Sequence, residues 1–223
     1  MRIKKKMDYK ISNRMRDMKP SAIREIFKSL GKPGAISFAA GNPSPLSFPV
    51  EAISALSADI LANDSTTALQ YGVTEGYLPL RGSVAARLKE KFAIDTDSNT
   101  TIITTGGQQA LELACKALCN EGDAVICEEP TFIGALNAFR SIGAKPIGVP
   151  LENDGINIEM LEEKLKTTPN VKMIYVIPTF QNPAGLTTSA EKRKKIYELA
   201  KKYDVVILED NPYGELRFSG EDI

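Results

Sequence analysis

Histidine is absent from this 223-residue sequence. Its absence removes Ser-His and Cys-His nucleophile systems together with the commonest general base, so any catalysis has to run on lysine, carboxylates, tyrosine or a cofactor. Cysteine is scarce: Cys115, Cys119 and Cys127 are an odd number without paired metal-type spacing, and no imidazole is present to complete a zinc set. They read as reduced, half-buried packing residues. No apolar run is long enough to span a bilayer, and the N-terminus lacks the apolar core and small-residue cleavage site of a secretory signal. The expected compartment is the cytoplasm. Net charge is also missing, with 28 basic residues against 28 acidic ones. Residues 1–20 nevertheless carry Arg2, Lys4, Lys5, Lys6, Lys10, Arg14, Arg16 and Lys19 against Asp8 and Asp17, which leaves the remainder net negative by six. Such a terminal run is read as a solvated end, with no nucleic acid or membrane partner expected. A composition of 43% hydrophobic and 25% charged residues is that of an ordinary globular chain of one large or two small domains.

From residue 100 onward the pattern alternates strand and helix. Strands are expected at 101–104, 124–127, 145–149, 171–177 and 205–208, and helices at 108–118, 132–142, 158–166 and 189–203, the last with Ser189 as its cap. Strands alternating with helices of this length imply right-handed crossovers and a mainly parallel sheet, whose ligands lie beyond the carboxyl ends of its strands. Before residue 100, helical stretches at 21–30, 50–62 and 78–92 are separated by an arm containing Pro43, Pro45 and Pro49. The prolines exclude a helix there and favour an extended segment.

Several strand ends carry polar groups. An apolar run before Glu209 delivers that residue and Asp210, followed by Asn211, Pro212 and Tyr213; a second run ends in Pro178, Thr179, Phe180, Gln181 and Asn182. Asp210 reads either as the partner of a cation or as a cap for its neighbours, and Asn182 either as a ligand or as a turn former. Gly106, Gly107 and Gln108 join a strand to a helix, which suits an anion at the helix N-terminus or simply a good loop. Phe132 either covers a planar ligand or opens a helix as a core aromatic. Their convergence at successive carboxyl ends argues for a shared site. An acid, an amide and a phenol together suit a flat, electron-poor heterocycle with a phenolic oxygen, a description that fits pyridoxal phosphate.

Five ordered motifs carry a likeness: Gly41-Asn42-Pro43-Ser44-Pro45, Leu69-Gln70-Tyr71-Gly72, Thr105-Gly106-Gly107-Gln108-Gln109, Gln181-Asn182-Pro183-Ala184-Gly185 and Glu209-Asp210-Asn211-Pro212-Tyr213-Gly214. The sequence resembles the N-terminal half of class I/II, fold type I aminotransferases, in the branch acting on aromatic amino acids, kynurenine and 2-aminoadipate. That resemblance implies an α/β fold in which residues 1–63 form an N-terminal arm and helices belonging to a small domain. Residues 64–223 would be a partial pyridoxal 5'-phosphate-binding large domain. It implies a homodimer using an amino acid and a 2-oxo acid as substrates. Asp210 would pair with the pyridine nitrogen, Asn182 and Tyr213 would donate to the phenolic oxygen, and Phe132 would stack on the ring. Gly106, Gly107 and Gln108 would hold the phosphate, and Tyr71 would reach the partner subunit's cofactor. Gly41 and Arg24 match positions that border the substrate.

The sequence departs from the family pattern at three places. Phe132 stands where many relatives have tyrosine, and Gly107 replaces a hydroxyl residue of the phosphate loop. The lysine that bonds the cofactor, and the arginine that grips the substrate carboxylate, are implied to lie downstream of Ile223. A chain without that lysine is expected not to transaminate alone and to expose unpaired strand edges. Three other readings use the same anchors: a lyase such as a carbon-sulfur lyase, a truncated inactive fragment, and a non-enzymatic regulator that senses the cofactor. The last is disfavoured by the short stretch before the first motif.

Overall fold

A computed structural model describes residues 9–16, 41 and 43–223. They fall into two compact units: residues 41 and 43–105 in one, and residues 9–16 and 106–223 in the other. The expected helix at 21–30, and Arg24, lie outside the described residues. Among the described residues no helix is long and apolar enough to cross a membrane.

In chain order the first described helix is α1, a single turn (Asn13–Arg16). The unit ending at residue 105 contains α2 (Val50–Asn63), α3 (Ser65–Leu69) and α4 (Leu78–Phe92). The arm before α2 is not wholly extended. Pro45–Ser47 makes a 3₁₀ turn in which Ser44 Oγ accepts from the backbone N–H of Leu46 at 3.3 Å. Proline at the first position of that turn costs no hydrogen bond, because its N–H would be unpaired anyway. The β-branched run at 101–104 is not a strand. No strand lies beside it among the described residues, and its polar groups are met singly: Ile103 N donates to Glu75 O at 2.9 Å, and Thr101 O accepts from Arg81 Nε at 2.7 Å.

The other unit is built on α5 (Gly107–Leu118), β1 (Ala124–Glu129), α6 (Ile133–Ser141), β2 (Lys145–Glu152), β3 (Gly155–Ile156), α7 (Ile158–Thr167), β4 (Val171–Val176), α8 (Ala190–Tyr203) and β5 (Val206–Glu209). The sheet order is β3-β2-β1-β4-β5. Only the short β3 runs antiparallel; β1 pairs in parallel with β2 and β4, and β4 with β5. This is the mainly parallel α/β arrangement read from the sequence. The two-residue β3 was not anticipated, because a strand that short leaves no periodic signal.

Alternating side chains send each strand to two faces. Val125, Cys127, Met173, Tyr175 and Ile177 pack with Leu111, Cys115, Ala138 and Phe139 of α5 and α6. Ile126, Val149, Ile174 and Val176 pack with Leu161 and Leu165 of α7 and Ile196 of α8. Helices on both faces explain why β1 and β4 read as continuous apolar runs. The three cysteines are free; burial pushes the thiols of Cys115 and Cys127 up to about 12, so both are inert packing groups. Ser189 caps α8 as expected, its Oγ accepting from Lys192 N at 3.3 Å.

Candidate active site

The registers of β1, β4 and β5 bring their carboxyl ends to one edge of the sheet. Tyr175 sits opposite Cys127 on one side and Leu208 on the other. Beyond β5, Asp210 N donates to Val176 O at 2.9 Å, prolonging the ladder by one residue, and Asp210 Oδ2 accepts from Tyr175 Oη at 2.8 Å. Tyr175 is fully buried. Burial, and next the bond to and charge of Asp210, hold its phenol far above the ordinary tyrosine range, so it is a permanent donor.

Asn182 lies in the loop after β4, where its Nδ2 donates to Tyr213 Oη at 3.2 Å. Gln181 holds that loop from inside: its Nε2 donates to Pro130 O at 2.8 Å and Glu128 Oε2 at 3.1 Å, and its Oε1 accepts from Ala184 N at 2.8 Å. Arg193 holds both ends from outside, donating to Pro178 O at 3.0 Å, Thr179 Oγ1 at 3.1 Å and Thr188 O at 2.9 Å. A loop with this many fixed partners presents Asn182 on a rigid mount.

Glu128 is 2% exposed, and its Oε2 also accepts from Ile177 N at 3.1 Å. Desolvation raises its carboxyl to about 7, outweighing the two hydrogen bonds that favour the charged form. Between the ordinary value of 4.5 and about 7 the unfolded chain has lost a proton that the folded one keeps. This group's contribution to stability is therefore complete below the lower value and is lost as pH rises through the upper one, a change of about 3 kcal/mol. Replacing Glu128→Gln in the full-length protein should flatten that decline, read as urea midpoints at about pH 5 and pH 8. An unchanged decline would assign it to other groups.

Gly106, with φ of 77°, caps α5, and Gly107 is its first residue. Among the described residues a Cβ on either would meet nothing within 4 Å, so a ligand has room to approach the backbone there. Gln108 Nε2 donates to Gly134 O at 3.0 Å. Gly134 is required by close approach: a Cβ there would stand 2.4 Å from Phe132 Cε1 and Cζ and 2.7 Å from Gln108 Oε1. Phe132 precedes α6 in extended conformation and is partly buried.

Gly107, Gln108, Phe132, Asn182, Asp210 and Tyr213 line one cavity of about 230 Å³, completed by Leu111, Ile177 and Pro212. Six residues singled out in the sequence thus share a wall, and Gly106 adjoins it as the helix cap. Tyr71, fully exposed, and Gly41, with φ of 55°, belong to the other unit. Tyr175, Glu128, Gln181 and Gly134 were not anticipated. A phenol inside the apolar run 171–177 and an acid closing the apolar run of β1 were the available signals.

The family model for aminotransferase class I and II matches residues 33–223. The chain belongs to this family. It is 43% identical over 223 residues to aromatic-amino-acid aminotransferase 1 of Thermococcus litoralis, covering 97% of this chain and 54% of that protein. It is 40% identical over 198 residues to 2-aminoadipate transaminase of Thermus thermophilus, covering 89% and 48%. A crystal structure of Pyrococcus horikoshii kynurenine aminotransferase, in complex with PMP, superimposes with a TM-score of 0.87 at 42% identity, covering 95% of this family member and 53% of that chain. It spans about half the length of the curated relatives it matches.

Proposed function

We propose that the full-length protein is a pyridoxal 5'-phosphate-dependent aminotransferase exchanging an amino group between an amino acid and a 2-oxo acid. The observation that carries this reading is the Asp210 carboxylate, held by Tyr175 at the end of the sheet, in a cavity that the glycine-led N-terminus of α5 also lines. The donor set fits the cofactor. A glycine-led helix start suits a phosphate, an aromatic ring suits a planar heterocycle, and a carboxylate suits a protonated ring nitrogen.

When bound, pyridoxal 5'-phosphate supplies an electron sink for the carbanion left by loss of the substrate's α proton. Asp210 would keep the proton on the ring nitrogen. Asn182 and Tyr213, already 3.2 Å apart, would both donate to the phenolic oxygen. Gly106, Gly107 and Gln108 would hold the phosphate, and Phe132 would cover one face and exclude water. The resemblance assigns the cofactor-bonding lysine to residues beyond Ile223.

A homodimer is part of the proposal, with Tyr71 reaching the partner's cofactor; its full exposure, and the exposed Ile53, Leu56 and Ile60 at helical spacing on α2, support a covered surface there. The arm and helices of 1–63 would belong to a small domain bordering the substrate at Gly41 and Arg24. The substrate class follows the relatives, an aromatic amino acid or 2-aminoadipate, and the compartment is the cytoplasm. The two curated relatives named above are transferases, which does not favour the lyase reading. Full-length protein supplied with pyridoxal 5'-phosphate and an aromatic amino acid should form the matching 2-oxo acid beyond one equivalent per cofactor only when a 2-oxo acid acceptor is added. Ammonia and pyruvate released from a thioether amino acid without acceptor would replace this reading with a lyase.

A further inference from the structure

Tyr175 is the penultimate residue of the apolar strand β4, with its ring edge-on to Phe139 at 5.5 Å between centroids and 78° between planes. A phenylalanine would fill that packing equally well. The hydroxyl adds a polar group to a fully buried position, which costs free energy unless it finds an acceptor. Its acceptor is Asp210 Oδ2 at 2.8 Å. The next residue of the same strand, Val176, accepts from the main chain of Asp210 at 2.9 Å. Two consecutive residues of one strand thus fix Asp210, one through its side chain and one through its backbone. Oδ2 is engaged by the phenol, and Asp210 lines the cavity, where its other oxygen would meet a ligand.

We infer that Tyr175 is a positioning residue for the cofactor's ring nitrogen: its buried phenol locks the Asp210 carboxylate in the orientation that receives the ring. This rests on the proposed pairing of Asp210 with that nitrogen. Without the phenol the carboxylate can turn about its own side-chain torsions, and the charge-assisted contact to the ring loses its fixed geometry. The effect travels through Asp210 alone, since Tyr175 itself is sealed behind it in the core.

The test is a double-mutant cycle in the full-length protein, with pyridoxamine 5'-phosphate as the probe. That molecule has the ring nitrogen and phosphate but no aldehyde, so its dissociation constant reads the anchors rather than a covalent bond. Tyr175→Phe should weaken its binding about tenfold, the scale of a lost hydrogen bond to a charged group. In an Asp210→Ala background the same substitution should change nothing. Wild-type affinity in the single Tyr175→Phe variant would overturn the inference while leaving the pairing of Asp210 intact. An equal loss in both backgrounds would also overturn it, because a purely structural role does not need Asp210. Undiminished binding in Asp210→Ala alone would remove the ring-nitrogen reading and the inference together.

Discussion

Asp210→Ala in the full-length protein should lower turnover by several orders of magnitude, about 4 kcal/mol or more of barrier. A pyridine ring withdraws electrons strongly only when its nitrogen is protonated, and a carboxylate beside that nitrogen keeps the proton in place. Alanine removes the charge and also strands the Tyr175 phenol in the core without its acceptor. The loss should be concentrated in kcat, because stabilisation of the carbanion develops on the way to the transition state. Steady-state kinetics with saturating pyridoxal 5'-phosphate would check this. Wild-type turnover in the variant would show that Asp210 does not serve the ring.

The second large effect is one of stability. Phe139 is fully buried on α6, packed against the sheet and edge-on to Tyr175. Phe139→Ala deletes an aromatic ring from a site bounded by helix and strand backbone, which cannot collapse freely. The expected cost is about 3–5 kcal/mol, with the aromatic pair accounting for about 0.5–1.5 kcal/mol of it. Denaturant midpoints of the full-length protein would measure it, and a cost below about 1 kcal/mol would mean that α6 relaxes into the void. The void would also free the Tyr175 ring, so pyridoxamine 5'-phosphate affinity should fall along with stability.

What the sequence revealed about the site follows from where chemistry meets local pattern. Asp210, Asn182 and Tyr213 stand immediately after apolar strands or in proline-flanked loops, where a polar group is conspicuous. Gly106 and Gly107 stand at the start of a helix, where paired glycines are conspicuous. Tyr175 was hidden because its ring satisfies the strand pattern and its hydroxyl bonds a residue 35 positions away. Glu128 and Gln181 are separated by 53 positions, and only the pairing of β1 with β4 brings them together. Gly134 was missed because a glycine in the first turn of a helix carries no sign of the Phe132 ring lying over it. The fold read well wherever both faces of a strand were covered. It failed at 101–104, where β-branched residues gave strand propensity without a neighbouring strand to pair with.

The sheet order also sets a timetable. β1 can pair with β2 soon after both are made, but its other edge waits for β4, and residues 125–127 are among the most deeply buried of the described residues. During synthesis at about 5–20 residues per second, Val176 emerges roughly 3–10 s after Ala124. From the completion of β2 until then, the nascent chain carries a parallel, apolar β1–β2 pair with an open edge. The strand that finally closes it also brings Tyr175 to the end of the sheet, so relief from aggregation and assembly of the cavity wall depend on a single docking event.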